Sequence, residues 1–400
     1  MGKRIAVLLH GEIDNDNRVL KMCSTLSAHY EIDVYFVGYN SQFALSNVCF
    51  ISVKYPKSLL QKIRRHTLFC REYAFLYNAV LATSKQYDIL WSNDLPTLQT
   101  GFKLSKKLNA KFVYDAHEIY VETLNQFFPE RSHFPKNSIV YILLNIMRFH
   151  GRRVEKKLSR KVDLFITVND SLADYFRTSY GIEQPLKLMN FPNQAPTAEK
   201  RNPPIDYRAL FAWAEEDRVF LYQGVLNQGR GLTILLEVVK ELPSHYKLVL
   251  LGSGPLEFEL TSFIQRHALN HRVKMIPKVP VNELARYTRG ADVGINLLEN
   301  LNLSKKLASP NKLFEYIHSS IPVVCSNTVE NQKVIEAFPI GVRAENTHAD
   351  IRNAMIEVVE NKAFHSTENQ AIFDAAIRTF SWENQEATLK EALVKLFNKK

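Results

Sequence analysis

Cysteine is scarce. Four in 400 residues, Cys23, Cys49, Cys70 and Cys325, lie far apart in apolar or strand-like surroundings, without metal-ligand spacing. They read as reduced thiols, which excludes a disulfide scaffold and a zinc module. Long apolar runs are also missing: a membrane span needs about 18 such residues, and the longest candidate, Ile139 to Met147, is about half that and contains Asn145. The opening segment begins with basic residues, but its apolar run ends before Glu12, Asp14 and Asp16, so it reads as a first strand and not as a signal peptide. There is no low-complexity tract or solenoid repeat. The absence of a recognition-helix signature or a periodic basic and aromatic surface argues against a nucleic-acid partner.

What is present is an alternation of apolar strands and amphipathic helices, in two rounds. Strand patterns at 4–9, 32–38, 48–53, 88–92, 111–115 and 162–168 are followed by a second set at 219–223, 247–251, 273–276, 293–297 and 322–325. Helical patterns at 231–241, 256–267, 281–288, 311–319 and 349–360 separate the later ones. Such alternation predicts an α/β chain with two Rossmann-like domains, each a largely parallel sheet covered on both faces. With 46% apolar residues, both can be well packed. Phe191 to Pro204, rich in proline and polar residues, marks the boundary. The net charge of +10 is uneven: residues 1–200 carry 27 Lys/Arg against 18 Asp/Glu, the remainder 24 against 23. Its densest part, residues 131–161, holds nine cations and one internal acid, Glu155. An anionic membrane surface or a phosphorylated glycan suits such a patch, as does plain solvation.

The stretch Ser309 to Tyr316 carries the most chemistry. It places Glu315 one turn inside a helix whose N-terminus follows a polar loop. Free amides at the helix start suit a diphosphate, while Glu315 is deep enough to accept from a ribose diol. An ordinary surface helix between two strands has the same pattern. Arg230, between Gly229 and Gly231 at the mouth of an apolar helix, brings a fork of charged donors to two phosphates. Lys305, Lys306 and Lys312 are candidates for the same role. Gly252 and Gly254 permit close backbone approach in a tight turn. In the first half, His117 follows a buried strand between Asp115 and Glu118, where it can donate to a developing charge or to a sugar. Asn15 and Asn17 lie in the loop after the first strand, and Asp94 follows another strand end, positions where such sheets receive ligands.

These motifs together resemble the retaining GT-B glycosyltransferases of family 4. Phe220–Leu232 is similar to the family's first donor-domain strand and basic loop, Leu248–Pro255 to the second strand and glycine turn, and Val281–Tyr287 to the next helix. Ala291–Ile295 and Ser309–Tyr316 complete the donor set. Tyr114–Glu118 resembles the acceptor-domain strand end that bears the active-site histidine, and Phe380–Gln385 the start of the terminal helix. The resemblance implies an acceptor-binding domain over 1–194, a donor-nucleotide domain over 195–379 and a helix over 380–400 crossing back to the first, with the two domains facing a central cleft. It assigns His117, Arg230 and Lys312 to catalysis. Asn15, Asn17, Gly224, Arg230, Gly252, Gly254, Lys305, Lys306, Ser309, Asn311, Lys312 and Glu315 go to the nucleotide sugar. Leu307 stands where a first glutamate is usual, Val225 where an arginine is usual, and Arg230 replaces a lysine. These departures spare the nucleotide contacts and bear on how the transferred sugar is gripped.

The implied reaction transfers a sugar, with retention at the anomeric carbon, from a nucleotide diphosphate to a hydroxyl of a glycan or lipid-linked acceptor. No carboxylate pair is set out as acid and base, as glycosidases require. The leaving group is already a diphosphate, and cations with helix amides suffice to stabilise it. No Asp-x-Asp follows a strand in the donor half, so no essential metal and no cofactor are expected. The base is not written in the residues, and a UDP-sugar is expected because such donors are common. A sugar-nucleotide epimerase on the same fold, or a noncatalytic nucleotide- or glycan-binding protein, are the alternatives. Two basic and apolar stretches, Pro56–Tyr77 and Phe134–Leu158, predict a cytoplasmic protein that attaches peripherally to the inner face of a membrane.

Overall fold

The alternation of apolar strands and helices folds into two parallel sheets. The structure is a computed structural model that describes residues 2–39, 41–54, 73–124, 139–194, 203–299 and 301–398. Contacts divide the chain into one unit of Met1–Asn190 with Gln385–Lys400 and a second of Phe191–Asn384. The break at Asn190/Phe191 coincides with the start of the proline-rich segment, of which residues 195–202 lie outside the described residues.

The first unit contains β1 (Arg4–Leu9), β2 (Glu31–Phe36), β3 (Val48–Ser52), β4 (Ile89–Asn93), β5 (Lys111–Ala116), β6 (Leu164–Thr167) and β7 (Leu186–Lys187), in the order β3-β2-β1-β4-β5-β6-β7. Among them run α1 (Asn17–Leu26), α2 (Ala74–Ala82), α3 (Asp94–Leu108), α4 (Ile139–Ser159) and α5 (Asp170–Tyr175). The second unit contains β8 (Arg218–Gln223), β9 (Tyr246–Leu251), β10 (Val273–Ile276), β11 (Val293–Asn296), β12 (Val323–Ser326) and β13 (Gly341–Ala344), in the order β10-β9-β8-β11-β12-β13. Its helices are α6 (Tyr207–Phe211), α7 (Leu232–Glu241), α8 (Glu257–Arg266), α9 (Val281–Thr288), α10 (Leu303–Lys306), α11 (Asn311–His318), α12 (Val329–Ala337), α13 (His348–Glu360) and α14 (Thr367–Thr379). The last helix, α15 (Trp382–Asn398), begins in the second unit and belongs to the first from Gln385 onward.

Among the described residues every strand pairing is parallel. Strands buried on both faces explain their unbroken apolar runs, such as Ile5–Leu9 and Leu248–Leu251. In each sheet the first strand lies between the second and the fourth, so chain direction across the sheet reverses between β1 and β4 and again between β8 and β11. Ligands of doubly wound sheets bind outside the carboxyl ends of the strands at these switch points. Residues 10–17, 94 and 117 stand at strand ends in the first unit, and 224–231 and 297–312 follow strand ends in the second. The strands β7 and β13 are the ones that periodicity does not distinguish.

Candidate functional site

Helix α11 is tied to the sheet by Tyr316. The Tyr316 ring is fully buried over β11 at Gly294, where a Cβ would stand 2.5 Å from the ring. Its hydroxyl lies 3.0 Å from the Leu221 carbonyl and 3.1 Å from that of Ile295, and it accepts from the Gln223 amide at 3.3 Å. One turn of helix therefore has a fixed rotation against the ends of β8 and β11. That rotation brings Glu315 to Gln223, whose Nε2 donates to Glu315 Oε2 at 2.6 Å. Gln223 is oriented in turn by the Thr288 hydroxyl, which donates to its Oε1 at 2.8 Å. The carboxylate is held before any ligand arrives.

Lys312 lies on the same helix and is 7% exposed. Its Nζ stands 3.7 Å from the centroid of the Tyr222 ring and has no hydrogen-bond partner. Burial pushes its pKa well below the ordinary lysine value, Arg230 and Lys305 push the same way, and Glu315 opposes them. Three cations and one carboxylate are thus close enough to feel one another. An unpaired buried ammonium costs several kcal/mol, and an anion placed against it removes that cost. Lys305 is also buried, 8% exposed, with its amide capped by Asn302 Oδ1 at 3.0 Å. Arg230 is half-buried, and its Nε reaches Asn227 Oδ1 only at 3.4 Å. The loop bearing it has φ of 82° at Gly229 and 65° at Gly231, left-handed values that favour glycine. Glu299 ties the loop down: Oε1 accepts from the Gly231 amide at 3.0 Å, and its own amide donates to the Gly229 carbonyl at 3.1 Å. Pro310 precedes α11 without a side-chain cap, so the first amides of the helix are not capped from that residue.

In the first unit, His117 sits between two aspartates. Its Nδ1 is 3.3 Å from Asp94 Oδ2 and its Nε2 is 3.5 Å from Asp115 Oδ2, the second too long for a hydrogen bond. The His117 amide donates to Asp94 Oδ1 at 2.8 Å. Asp94 holds a φ of 57°, rare for a residue with a side chain, at the tight turn from β4 into α3. Burial lowers the His117 pKa, but the two carboxylates outweigh it and raise it to about 9, so the ring is an imidazolium at neutral pH. Burial also pushes Asp94 upward. Asp115 is held well below the carboxylate range: burial acts against this, and Arg18 with His117 prevails. Arg18 clamps Asp115 from α1 at 3.1 Å and 2.8 Å and donates a further bond to the Leu188 carbonyl.

The family of glycosyl transferases group 1 matches residues 206–378, and glycosyltransferase family 4 matches residues 17–189. The chain is a GT-B-fold glycosyltransferase related to these families. Sucrose-phosphate synthase from Thermosynechococcus elongatus is similar in structure, with a TM-score of 0.75 at 17% identity over 100% of both chains. HepE from Anabaena, solved with UDP-glucose, aligns with a TM-score of 0.67 at 15% identity, over 98% of this chain and 99% of that one. WaaG, a glycosyltransferase involved in lipopolysaccharide biosynthesis, aligns at 0.64 and 14% identity, over 98% and 99%. Curated protein sequences provide no match.

In this glycosyltransferase the glycine turns have a structural cause. A Cβ on Gly252, where φ is 148°, would lie 1.9 Å from the Gly224 carbonyl oxygen, and one on Gly254 would lie 2.5 Å from that of Leu226. The loops after β8 and β9 press on each other backbone to backbone. A Cβ on Gly224, where φ is 130°, would lie 3.8 Å from Lys312 Nζ. Lys306 and Asn311 are exposed and Ser309 is half-buried, with no polar contact that ties them to Glu315. Asn17 is exposed at the start of α1, and the Asn15 side chain lies outside the described residues. Val225 is 55% exposed beside Gly224, and its carbonyl accepts from the Tyr222 hydroxyl at 2.8 Å. Gln223, Thr288 and Tyr316 were not singled out from sequence. A glutamine ending an otherwise apolar strand is the one signal that marked any of them. Among the described residues, no group of three His, Cys, Asp or Glu side chains could hold a metal ion.

Proposed function

We propose that the protein is a retaining glycosyltransferase that moves a sugar from a nucleoside diphosphate to a hydroxyl of a glycan or lipid-linked acceptor in surface polysaccharide or glycoconjugate synthesis. The observation that carries the reading is the buried, unpartnered ammonium of Lys312 beside Arg230, Lys305 and the anchored carboxylate of Glu315. The ammonium of Lys312 with Arg230 near it makes a site for a doubly charged leaving group, and Glu315 accepts from a neighbouring diol. Arg230 and Lys312 stabilise the charge that develops on the diphosphate as the glycosyl bond breaks. In this reading a phosphate oxygen takes the acceptor's proton, and charge compensation by side chains makes a metal dispensable. HepE was solved with UDP and with UDP-glucose, which supports a uridine donor.

The imidazolium of His117 is a donor of charged hydrogen bonds from the acceptor-binding unit, presented at the carboxyl end of β5. Its role is in the transfer step and not in nucleotide binding. Calorimetry of UDP with the wild type and Lys312→Met tests the nucleotide site. Loss of one charge-assisted contact, about 1.5–3 kcal/mol, weakens binding by roughly ten- to a hundredfold. Equal affinity of the two proteins would overturn the assignment.

A further inference from the structure

Helix α4 buries one stripe and exposes the other, and the exposed one is not polar throughout. Leu144, Gly151, Glu155 and Leu158, spaced as one helical face, are buried. Glu155 is held there by the Tyr114 hydroxyl at 2.6 Å and the Tyr180 hydroxyl at 2.8 Å, which fixes the rotation of the helix. The opposite stripe follows i, i+4, i+7, i+11 and i+14 through Ile142, Ile146, Phe149, Arg153 and Lys156. Ile142 is 51% exposed, Ile146 58% and Phe149 62%. The apolar residues of this helix are therefore not all used in packing the unit.

Charge selects the occupant. The apolar half of the stripe runs directly into Arg153, Lys156 and Lys157, all exposed, and the Arg153 guanidinium lies 5.2 Å from the Phe149 ring centroid. The acid within this part of the helix, Glu155, is buried on the far side, and Glu122 nearby is already paired with Arg152. Apolar side chains followed by uncompensated cations on one stripe match a surface with an acyl boundary below and anionic headgroups above. A nucleic acid would use the cations and leave three exposed apolar side chains unexplained.

From this we infer that the exposed stripe of α4 docks the protein reversibly on an anionic lipid surface. No helix among the described residues is long and apolar enough to cross a membrane, so the attachment is peripheral. Residues 55–72 and 125–138, which include parts of the two basic and apolar stretches of the sequence, lie outside the described residues. The inference stands apart from the donor site, because attachment needs neither nucleotide nor acceptor.

The test is sedimentation of the full chain with phosphatidylglycerol-containing vesicles and with pure phosphatidylcholine vesicles, at low and high salt, without donor. Binding to the anionic vesicles alone, weakened by salt, is expected. Arg153→Gln, Lys156→Gln and Lys157→Gln together should lower partition about a hundredfold, since each cation near such a surface is worth about fivefold, or about 1 kcal/mol. Ile142→Ser, Ile146→Ser and Phe149→Ser together should remove the part of binding that survives high salt. All six positions are exposed, so thermal melting of both variants should match the wild type. Absence of pelleting with anionic vesicles at low salt overturns the inference, as does pelleting that neither variant changes. A wild-type dimer that the serine variant converts to monomer in lipid-free ultracentrifugation also overturns it, assigning the face to a second copy of the chain.

Discussion

Lys312 is tuned by its surroundings to respond to an anion. Buried against the Tyr222 ring with Arg230 and Lys305 close by, it releases its proton far more readily than a surface lysine. A diphosphate set against it favours the charged form, so UDP affinity should fall as the pH rises into the alkaline range. Calorimetry of UDP across that range measures this directly; the fall is expected in the wild type and much smaller in Lys312→Met. Glu315→Gln should weaken donor binding about tenfold, because an amide is a poorer acceptor for a diol than a carboxylate held by Gln223. Unchanged donor affinity would remove Glu315 from the site. The folded His117 pKa of about 9 lies above the ordinary 6.5, so the stability it contributes is complete below about pH 6.5 and lost as pH rises through about 9. Urea melts across that range should show the decline in the wild type and a flatter profile in His117→Gln.

At the scale of elements, the donor site depends on loops that touch through backbone. Gly252→Ala puts a methyl where the Gly224 carbonyl already lies, at a φ that side chains avoid. Overpacking and backbone strain together should cost about 2–5 kcal/mol, read as a lowered melting transition and a loss of UDP affinity larger than any change in charge explains. Helix α4 offers a second case. Burial raises Glu155 to about 7 despite the tyrosine hydroxyls that favour its ionised form. A carboxyl whose folded pKa exceeds the unfolded 4.5 contributes most below about pH 4.5 and loses that contribution as pH rises through about 7. Glu155→Gln should therefore flatten stability between those limits. A profile that keeps its slope would place the titration elsewhere.

For the whole molecule, the discontinuity of the first unit has a consequence. Residues 385–400 belong to it, and α15 places Phe397 against Tyr30 with Lys3 Nζ 3.2 Å from the ring centroid, while Glu386 Oε1 accepts from the Thr25 hydroxyl at 3.0 Å. Deleting 385–400 should lower the calorimetric transition of the first unit and leave UDP binding by the second within about threefold. Much of this architecture was legible before any coordinates. Apolar strand runs of parallel type, the helix spacing between them and the glycine, proline and cation positions of 224–231 and 309–316 determine two doubly wound sheets with ligand loops at the strand ends. They do so because period and backbone freedom are local properties. Tertiary packing decided the rest. Nothing local says that Gln223 meets Glu315 across 92 positions, that Tyr316 sets the rotation of α11, or that Lys312 is buried without a partner while Lys306, six positions earlier, stays in solvent. Nor does a helical period say which stripe of α4 faces inward, since both carry apolar residues. The choice falls to Glu155, whose bonds to Tyr114 and Tyr180 exist only once β5, α4 and the segment at 176–180 have met.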